Sequence, residues 1–434
     1  MRAYDLPKAE GIGTKVDERV AAGEIYRERE NCRVCGTRLE KGVVDLGMQA
    51  MTGIFPKDAA SDPPFGPLSL GFCTGCTLVQ LCHDYDSGLM YGENYGYRSG
   101  LNKSMVVHLE KKVSYLKRLV GLEAGDWVLD IGSNDGTSLN AYGGMGLNRV
   151  GIDPTSEKFL KYYEQDIQVV HDFFSAENYW GVSGGEKAKL VTSIAMFYDL
   201  PDPVKFARDI CEVLDDEGVW HFEQSYLPAM LRTSSYDTIC QEHLLYYSVH
   251  SIERILDRAG MKILDLSFND VNGGSFAVSA VKKGSERSCN HAVIEWAMRS
   301  EMMLGVTGVG VFERFQKKID LQRDLLLDLL MRIKRAGQVV VGYGASTKGN
   351  VLLQYSGIDE ELVRAVGEIN PDKFGCVTPG SHIPIMSDGD VRAMKPDYFL
   401  VLPWHFRHDI LNREQGYMND GGHFIFPLPE VEVV

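Results

Sequence analysis

The 434-residue chain has no apolar run as long as the ~18 residues that cross a bilayer. Its first residues, Met1-Arg2-Ala3-Tyr4-Asp5, carry no apolar core of the kind a secretory leader needs. A cytoplasmic protein with no membrane partner is expected. Basic residues do not predominate: 45 Lys and Arg stand against 60 Asp and Glu, a formal net charge of −15. That balance argues against a nucleic-acid partner, which selects a basic face. The nine cysteines are an odd number, so a disulfide framework is not expected. Internal repeats and low-complexity stretches are also missing. The length exceeds what one ordinary core organises, so two or three domains are expected.

Four of the cysteines form two C-x-x-C pairs, Cys32/Cys35 and Cys73/Cys76, with residues 36–72 between them. Two such knuckles can close a tetrahedral Zn2+ site, and Gly36 after the second Cys suits a knuckle turn. With four protein ligands the metal would be structural, stapling a small, loop-rich module at residues 1–90. The competing reading is two unrelated pairs of core or redox cysteines.

From Lys103 the pattern becomes regular. Met105, Val106, Leu109, Val113, Leu116 and Leu119 recur at helical spacing, so Lys103–Val120 reads as one helix. Strands are expected at 127–131, 149–153, 168–170, 190–194 and 219–224, alternating with helices, and a closing strand pair at 261–268 and 274–282. That alternation means α/β architecture with a parallel sheet, a Rossmann-like domain over 91–290. A boundary is expected at 284–300, then a long helix near 311–336 and a second Rossmann-like block, 291–434, with strands near 338–342, 363–369 and 398–402.

Each block has a glycine loop after its first strand. Asp130-Ile131-Gly132-Ser133-Asn134-Asp135-Gly136 lacks the third Gly of a dinucleotide fingerprint and puts acids where a pyrophosphate would approach. Such a loop suits S-adenosylmethionine, which carries a sulfonium and an ammonium and no phosphate. Asp130 and Asp135 would attract it. Asp153, ending the next strand, would accept the ribose hydroxyls, Asp172 the adenine amino group, and Met196 with the 190–197 strand would line the donor. A domain binding some other nucleotide, or none, remains the alternative. The second loop, Gly342-Tyr343-Gly344-Ala345-Ser346-Thr347-Lys348-Gly349-Asn350, offers amides, two hydroxyls and an ammonium that would clamp a diphosphate, with Glu368 and Asn370 ending the next strand to read a ribose or base. It is not a Walker A loop. A plain structural half with a surface lysine is the alternative.

Two further segments carry chemistry. Gln241-Glu242-His243 lies beyond the fifth strand, where this fold places its site, and an imidazole there would take a proton from carbon beside a ketone. A capping or packing His is the plainer reading. Tyr95-Gly96-Tyr97-Arg98-Ser99-Gly100 joins the cysteine module to the first α/β block and would cover the donor site with Tyr95, Tyr97 and Ser99, unless the tyrosines merely pack.

Seven segments, in order along nearly the whole chain, resemble the sugar C-methyltransferases of deoxysugar pathways. They are the C-x-x-C pairs, Tyr95–Gly100, Ser133–Gly136, Glu242-His243, Asn272-Gly273-Gly274-Ser275, the Gly342–Asn350 loop, and Thr378-Pro379-Gly380 with Ile383-Pro384-Ile385. The resemblance implies methylation, typically at C3, of a nucleotide-linked 4-keto-6-deoxyhexose by a monomer using S-adenosylmethionine and structural Zn2+. It implies that His243 removes the C3 proton, that Glu242 orients it or binds the sugar, and that Tyr97 and Tyr198 hydrogen-bond the sugar or enolate. It also implies that Ser99, Gly132, Asn134 and Phe173 bind the donor, and that Tyr343, Gly344, Ser346, Thr347, Lys348, Asn350, Glu368 and Asn370 bind the substrate. The sequence departs from the family where Y-H-E-H is usual: Cys240 and Gln241 precede Glu242. A second histidine for proton relay is therefore missing, and a sugar isomerase that reprotonates instead of methylating is the alternative expectation.

Overall fold

The computed structural model describes residues 25–86 and 98–434. Tyr95 and Tyr97 lie outside the described residues. The cysteine module begins with β1 (Tyr26–Glu28), β2 (Glu40–Ala50), β3 (Phe65–Phe72), β4 (Val79–Leu81) and β5 (His83–Tyr85). It is more regular than its Gly- and Pro-rich sequence suggests: β2, β3 and β4 form an antiparallel sheet, and β1 pairs with β5. The sequence hides this pattern because Gly42 and Gly47, both at positive φ, mark two register shifts in β2 that break its alternation.

The central domain starts with α1 (Lys103–Val120), capped by the Asn102 side chain on Ser104 N and stopped by Gly121 at φ 67. Its buried residues Leu109, Val113, Leu116 and Val120 face the sheet at helical spacing. That sheet contains β6 (Trp127–Ile131), β7 (Asn148–Ile152), β8 (Gln168–Val170), β9 (Ala188–Ile194) and β10 (Leu214–Ser225). The next strand, β11 (Leu245–Tyr246), leaves it, and β12 (Met261–Asn269) and β13 (Ser275–Lys282) return. The order is β12-β13-β10-β9-β6-β7-β8, with β13 antiparallel to both neighbours. The chain reverses direction across β6 and β9, so the crevice for a ligand lies beyond their C-terminal ends. The absent strand matters more. β11 pairs with β4, and Leu81 N donates to Leu244 O at 2.9 Å. The residues directly after His243 are thus the outer strand of the cysteine module's sheet.

The expected boundary at 284–300 is partly helix: α2 (His291–Leu304) starts inside it. The buried Glu301 of α2 accepts from Tyr226 Oη at 2.8 Å and from Val249 N at 2.6 Å, tying α2 to the central domain. Next comes α3 (Gly310–Arg335), whose Phe312 ring meets Phe72 of the cysteine module. The last domain is a six-stranded sheet, β14 (Val340–Tyr343), β15 (Val366–Glu368), β16 (Ile385–Ser387), β17 (Tyr398–Val401), β18 (His423–Phe426) and β19 (Glu432–Val433), with α4 (Thr347–Ser356) after β14. Its order is β16-β15-β14-β17-β18-β19, parallel except for β19. The three domains share one continuous apolar core.

Candidate active site

Cys32, Cys35, Cys73 and Cys76 bring their sulfurs within 4.8 Å of one another. The Cys32–Cys76, Cys35–Cys73 and Cys73–Cys76 separations are 3.5, 3.3 and 3.6 Å. These are too long for disulfides and near the ~3.8 Å edge of a tetrahedron with Zn–S bonds of ~2.3 Å. The two knuckles are built alike: Gly36 N returns to Cys32 O and Thr77 N to Cys73 O, with Gly36 at φ 75 and Thr77 at φ 61. A β-branched residue is uncommon there, so the second knuckle holds its turn against a local preference. The donor set fits Zn2+.

The first glycine loop is clasped from two sides. Asp153 Oδ2 accepts from Asn134 N at 2.9 Å, and its Oδ1 accepts from Thr155 N and Oγ1. Asn134 Oδ1 and Asp135 Oδ2 accept from Ser99 N and Gly100 N at 3.0 and 2.9 Å, so the 98–100 segment lies against the loop. Gly132 and Gly136 sit at positive φ; a Cβ at Gly136 would come within 2.6 Å of the Tyr163 ring, and one at Gly132 within 3.0 Å of Met196. Two acids differ from their expected use. Asp130 is buried and receives the Thr192 hydroxyl at 2.5 Å; burial pushes its carboxyl up to about 7. Asp135 also receives Thr137 Oγ1 at 2.6 Å. They shape the loop rather than project from it, because a carboxylate buried beside backbone N–H and hydroxyl donors bonds to them first. Asp172 is capped locally by Phe173 N. The carboxylate-rich loop still favours a cationic ligand over a phosphate.

The second half of the site stands where the three domains meet. His243 Nδ1 is 2.7 Å from Thr238 O, so Nδ1 carries the proton and donates. Nε2 then keeps its lone pair, with no hydrogen-bond partner among the described residues. Burial, and next the Lys348 charge, pull the imidazole down to about 4, so it is neutral at pH 7. The Tyr198 ring meets it edge-on at 4.5 Å. A small cavity beside it is lined by Tyr198, Tyr226, Met230, Thr238 and Tyr246. Glu242 packs under Gly53 of the cysteine module, where an added Cβ would lie 2.2 Å from Oε1. Burial pushes its carboxyl up to about 7.

Gln241 does not face this cleft. It is buried, its Oε1 accepts from Thr52 N and Oγ1 at 3.3 Å, and its amide reaches Gln49 O and Ala50 O. It fastens the His243 segment to the cysteine module.

The second loop repeats the first. Glu368 Oε2 accepts from Ala345 N at 3.0 Å, and Oε1 from Ile369 N and Asn370 N. Its oxygens hold the chain as those of Asp153 do. Tyr343 turns into its own domain, donating to Glu414 at 2.8 Å and packing on Phe399 and Phe424. Ser346 caps α4 on Gly349 N, and Asn370 caps Asp372 N. Asn350 is fully buried and donates to Thr52 O at 2.8 Å, pointing at the cysteine module instead of a ligand. Gly344 N donates to Gly367 O, and Thr347 and Lys348 begin α4. Lys348 Nζ crosses to the central domain and donates to Asn272 O at 2.9 Å. Residues whose place the sequence leaves unassigned complete the cleft: Asp237 accepts from Trp404 Nε1 at 2.8 Å, and Trp404 covers Gly273. The N-G-G-S turn is visible in sequence; its partner Trp404 is not.

Comparison with known proteins agrees with this layout. Three family models match in order: a zinc binding domain over residues 32–91, a methyltransferase domain over 108–266, and a C-methyltransferase C-terminal domain over 270–429. The C-methyltransferase NovU of Streptomyces niveus is 29% identical over 414 residues, 95% of this chain and 98% of its own. The ubiquinone biosynthesis O-methyltransferase of Thiobacillus denitrificans is 36% identical over 104 residues, 23% of this chain and 44% of its own. Among solved structures, an S-adenosylmethionine-dependent methyltransferase from Clostridium acetobutylicum shares 12% identity and a TM-score of 0.31 over 40% of this chain and 90% of its own. No helix among the described residues is long and apolar enough to cross a membrane. A zinc binding domain, a methyltransferase domain and a C-methyltransferase C-terminal domain thus follow one another along the chain, and this succession supports a C-methyltransferase.

Proposed function

We propose that the protein methylates a nucleotide-linked 4-keto-6-deoxyhexose at C3, as a cytoplasmic monomer. The observation that carries this reading is the state of His243: Nδ1 is tied to Thr238 O, so Nε2 keeps its lone pair, with no hydrogen-bond partner among the described residues, in a side chain that lines a small cavity. An imidazole cannot deprotonate an ordinary sugar C–H. A neighbouring ketone makes that carbon acidic enough, because the electron pair left by the proton moves onto the carbonyl oxygen. His243 Nε2 takes the proton and Thr238 O holds the imidazolium that results. Glu242, whose carboxyl burial pushes up to about 7, donates a hydrogen bond to a sugar oxygen in its protonated form. S-adenosylmethionine, when bound beside Asp153 and the Gly132–Gly136 loop, supplies the electrophilic methyl that the nucleophilic carbon accepts, leaving the electron pair on sulfur. The Ser346 and Thr347 amides, with Lys373 Nζ fixed on Ala345 O at 2.8 Å, hold the diphosphate end.

The test is a mass-spectrometric screen of the protein with S-adenosylmethionine against GDP-, CDP- and dTDP-linked 4-ketohexoses. A mass gain of one methyl on carbon is expected with one of them. Deuterium uptake from heavy water without methylation, or methylation of oxygen alone, would contradict the reading.

A further inference from the structure

Lys348 stands where the sequence suggests a diphosphate clamp, yet its surroundings are those of the acid–base centre. It is the second residue of α4, and its side chain leaves its own domain to reach Asn272 O. Among the described residues its ammonium has this one hydrogen-bond partner and no ion pair, so two N–H donors are left over. The contacts around it form a closed chain. Asn272 is held at φ 56 in the turn before Gly273. Gly273 lies under Trp404, with room for an added Cβ only 3.3 Å from the ring. Trp404 Nε1 donates to Asp237, and Asp237 adjoins Thr238, whose carbonyl holds His243. Tyr236 closes the ring by stacking its edge on Tyr355 of α4 at 5.1 Å. The charged and titratable groups that feel Lys348 are Asp237, Cys240, His243 and His405.

We propose that Lys348 is a catalytic residue whose ammonium hydrogen-bonds the substrate's carbonyl oxygen and stabilises the enolate, instead of binding the diphosphate. The inference rests on the ketosugar reading above. The acidic carbon and the ketone oxygen are two bonds apart, so the base and the cation that serve them must lie close together, and the contacts through Asn272, Trp404, Asp237 and Thr238 bring His243 and Lys348 to one junction. In the step, the C3–H bond breaks, the proton goes to His243 Nε2, and its electron pair forms the C3–C4 double bond while the carbonyl π pair moves to O4. The two unfilled N–H donors of Lys348 receive that negative charge. The carbonyl of Asn272 keeps the ammonium aimed, so the site is ordered before charge develops.

The experiment compares Lys348→Met and Lys348→Arg with the full-length wild type. Binding of S-adenosylhomocysteine, measured by calorimetry, checks that each variant is folded and should be unchanged. Exchange of the C3 proton into heavy water is then followed by NMR with the dTDP-, GDP- and CDP-linked 4-keto-6-deoxyhexoses, without donor. Lys348→Met should slow exchange about a hundredfold or more, the effect of removing an oxyanion donor, with KM changed less than about threefold. Lys348→Arg should recover part of the loss. A large rise in KM with the exchange rate intact would overturn the inference and return Lys348 to the diphosphate. If wild type exchanges none of these sugars, the ketosugar reading itself fails. A separate arm still reports on Lys348: the His243 imidazole titrates at higher pH in Lys348→Met than in Lys348→Arg, and equal titration would show that the ammonium does not face the base.

Discussion

The two α/β lobes use one device for opposite ends. In the central domain the carboxylate ending the second strand, Asp153, accepts an N–H from the glycine loop after the first strand, Asn134 N at 2.9 Å. In the C-terminal domain Glu368 does the same to Ala345 N at 3.0 Å. Both loops are therefore held open at the same point of a parallel sheet. What differs is the charge around them. The first is ringed by Asp130, Asp135 and Asp153, bonded to hydroxyls and to the 98–100 segment. The second sends Lys348 outward and holds Lys373 against its own carbonyl. Strand topology fixes where a ligand is bound; the side chains gathered around the loop decide its charge.

The comparison can be broken in several places. The largest effect is expected at the junction of the lobes. His243→Ala should lose about a thousandfold in turnover, within the usual range for a general base, while calorimetry shows S-adenosylhomocysteine still binding. Next comes a crossed pair. Asp153→Asn should weaken S-adenosylhomocysteine about tenfold and spare the sugar nucleotide, and Glu368→Gln should do the reverse, each loss being on the order of one charge-assisted hydrogen bond. If both variants weakened the same ligand, the lobes would not be separate sites. Glu242→Gln acts on stability instead of on ligand affinity. A carboxyl held near 7 in the folded protein and near 4.5 when unfolded binds its proton more tightly when folded. It therefore costs stability progressively from about pH 4.5 to pH 7 and fully above that. Glu242→Gln should be the more stable protein at pH 8, by on the order of a few kcal/mol, and nearly equal to wild type at pH 4.5. Wild type is expected to lose kcat/KM above about pH 7, and Glu242→Gln should remove that fall. The smallest effect belongs to Gln241→Ala, whose long contacts to the 49–52 turn should cost about 1 kcal/mol of stability, read as a denaturation midpoint.

Zinc removal tests the third partner in the junction. Because β11 belongs to the cysteine module's sheet, chelation should lower turnover together with the unfolding temperature, while the central domain keeps its affinity for S-adenosylhomocysteine.

Much of this is legible in the sequence. The helix at 103–120 and the strands at 127–131 and 168–170 show clean apolar patterns, and the structure places them at the same residues. The Cys quartet announces its own geometry. The two glycine loops are equally plain, since a strand, a turn and a helix start carry distinct residue types. What stays hidden depends on direction and distance. Lys348 and Asn350 stand two residues apart on α4, a rotation of about 200°, so one reaches the cleft and the other the cysteine module. Nothing in the composition of the loop separates them. Leu245–Tyr246 is too short to show alternation, and its partner β4 is far upstream. β16, β18 and β19 escape notice for the same reason, being two to four residues long. The roles of Asp130 and Glu368 differ from expectation because an acid at a strand end looks the same whether it meets a ligand or a backbone N–H.

The most direct measurement is proton exchange at C3 of the 4-ketosugar nucleotides in heavy water, with and without S-adenosylmethionine. The wild type should exchange that proton without donor and form a C3-methylated product with it, and His243→Ala should do neither. Methyl transfer by His243→Ala at the wild-type rate would contradict the central role given to that imidazole.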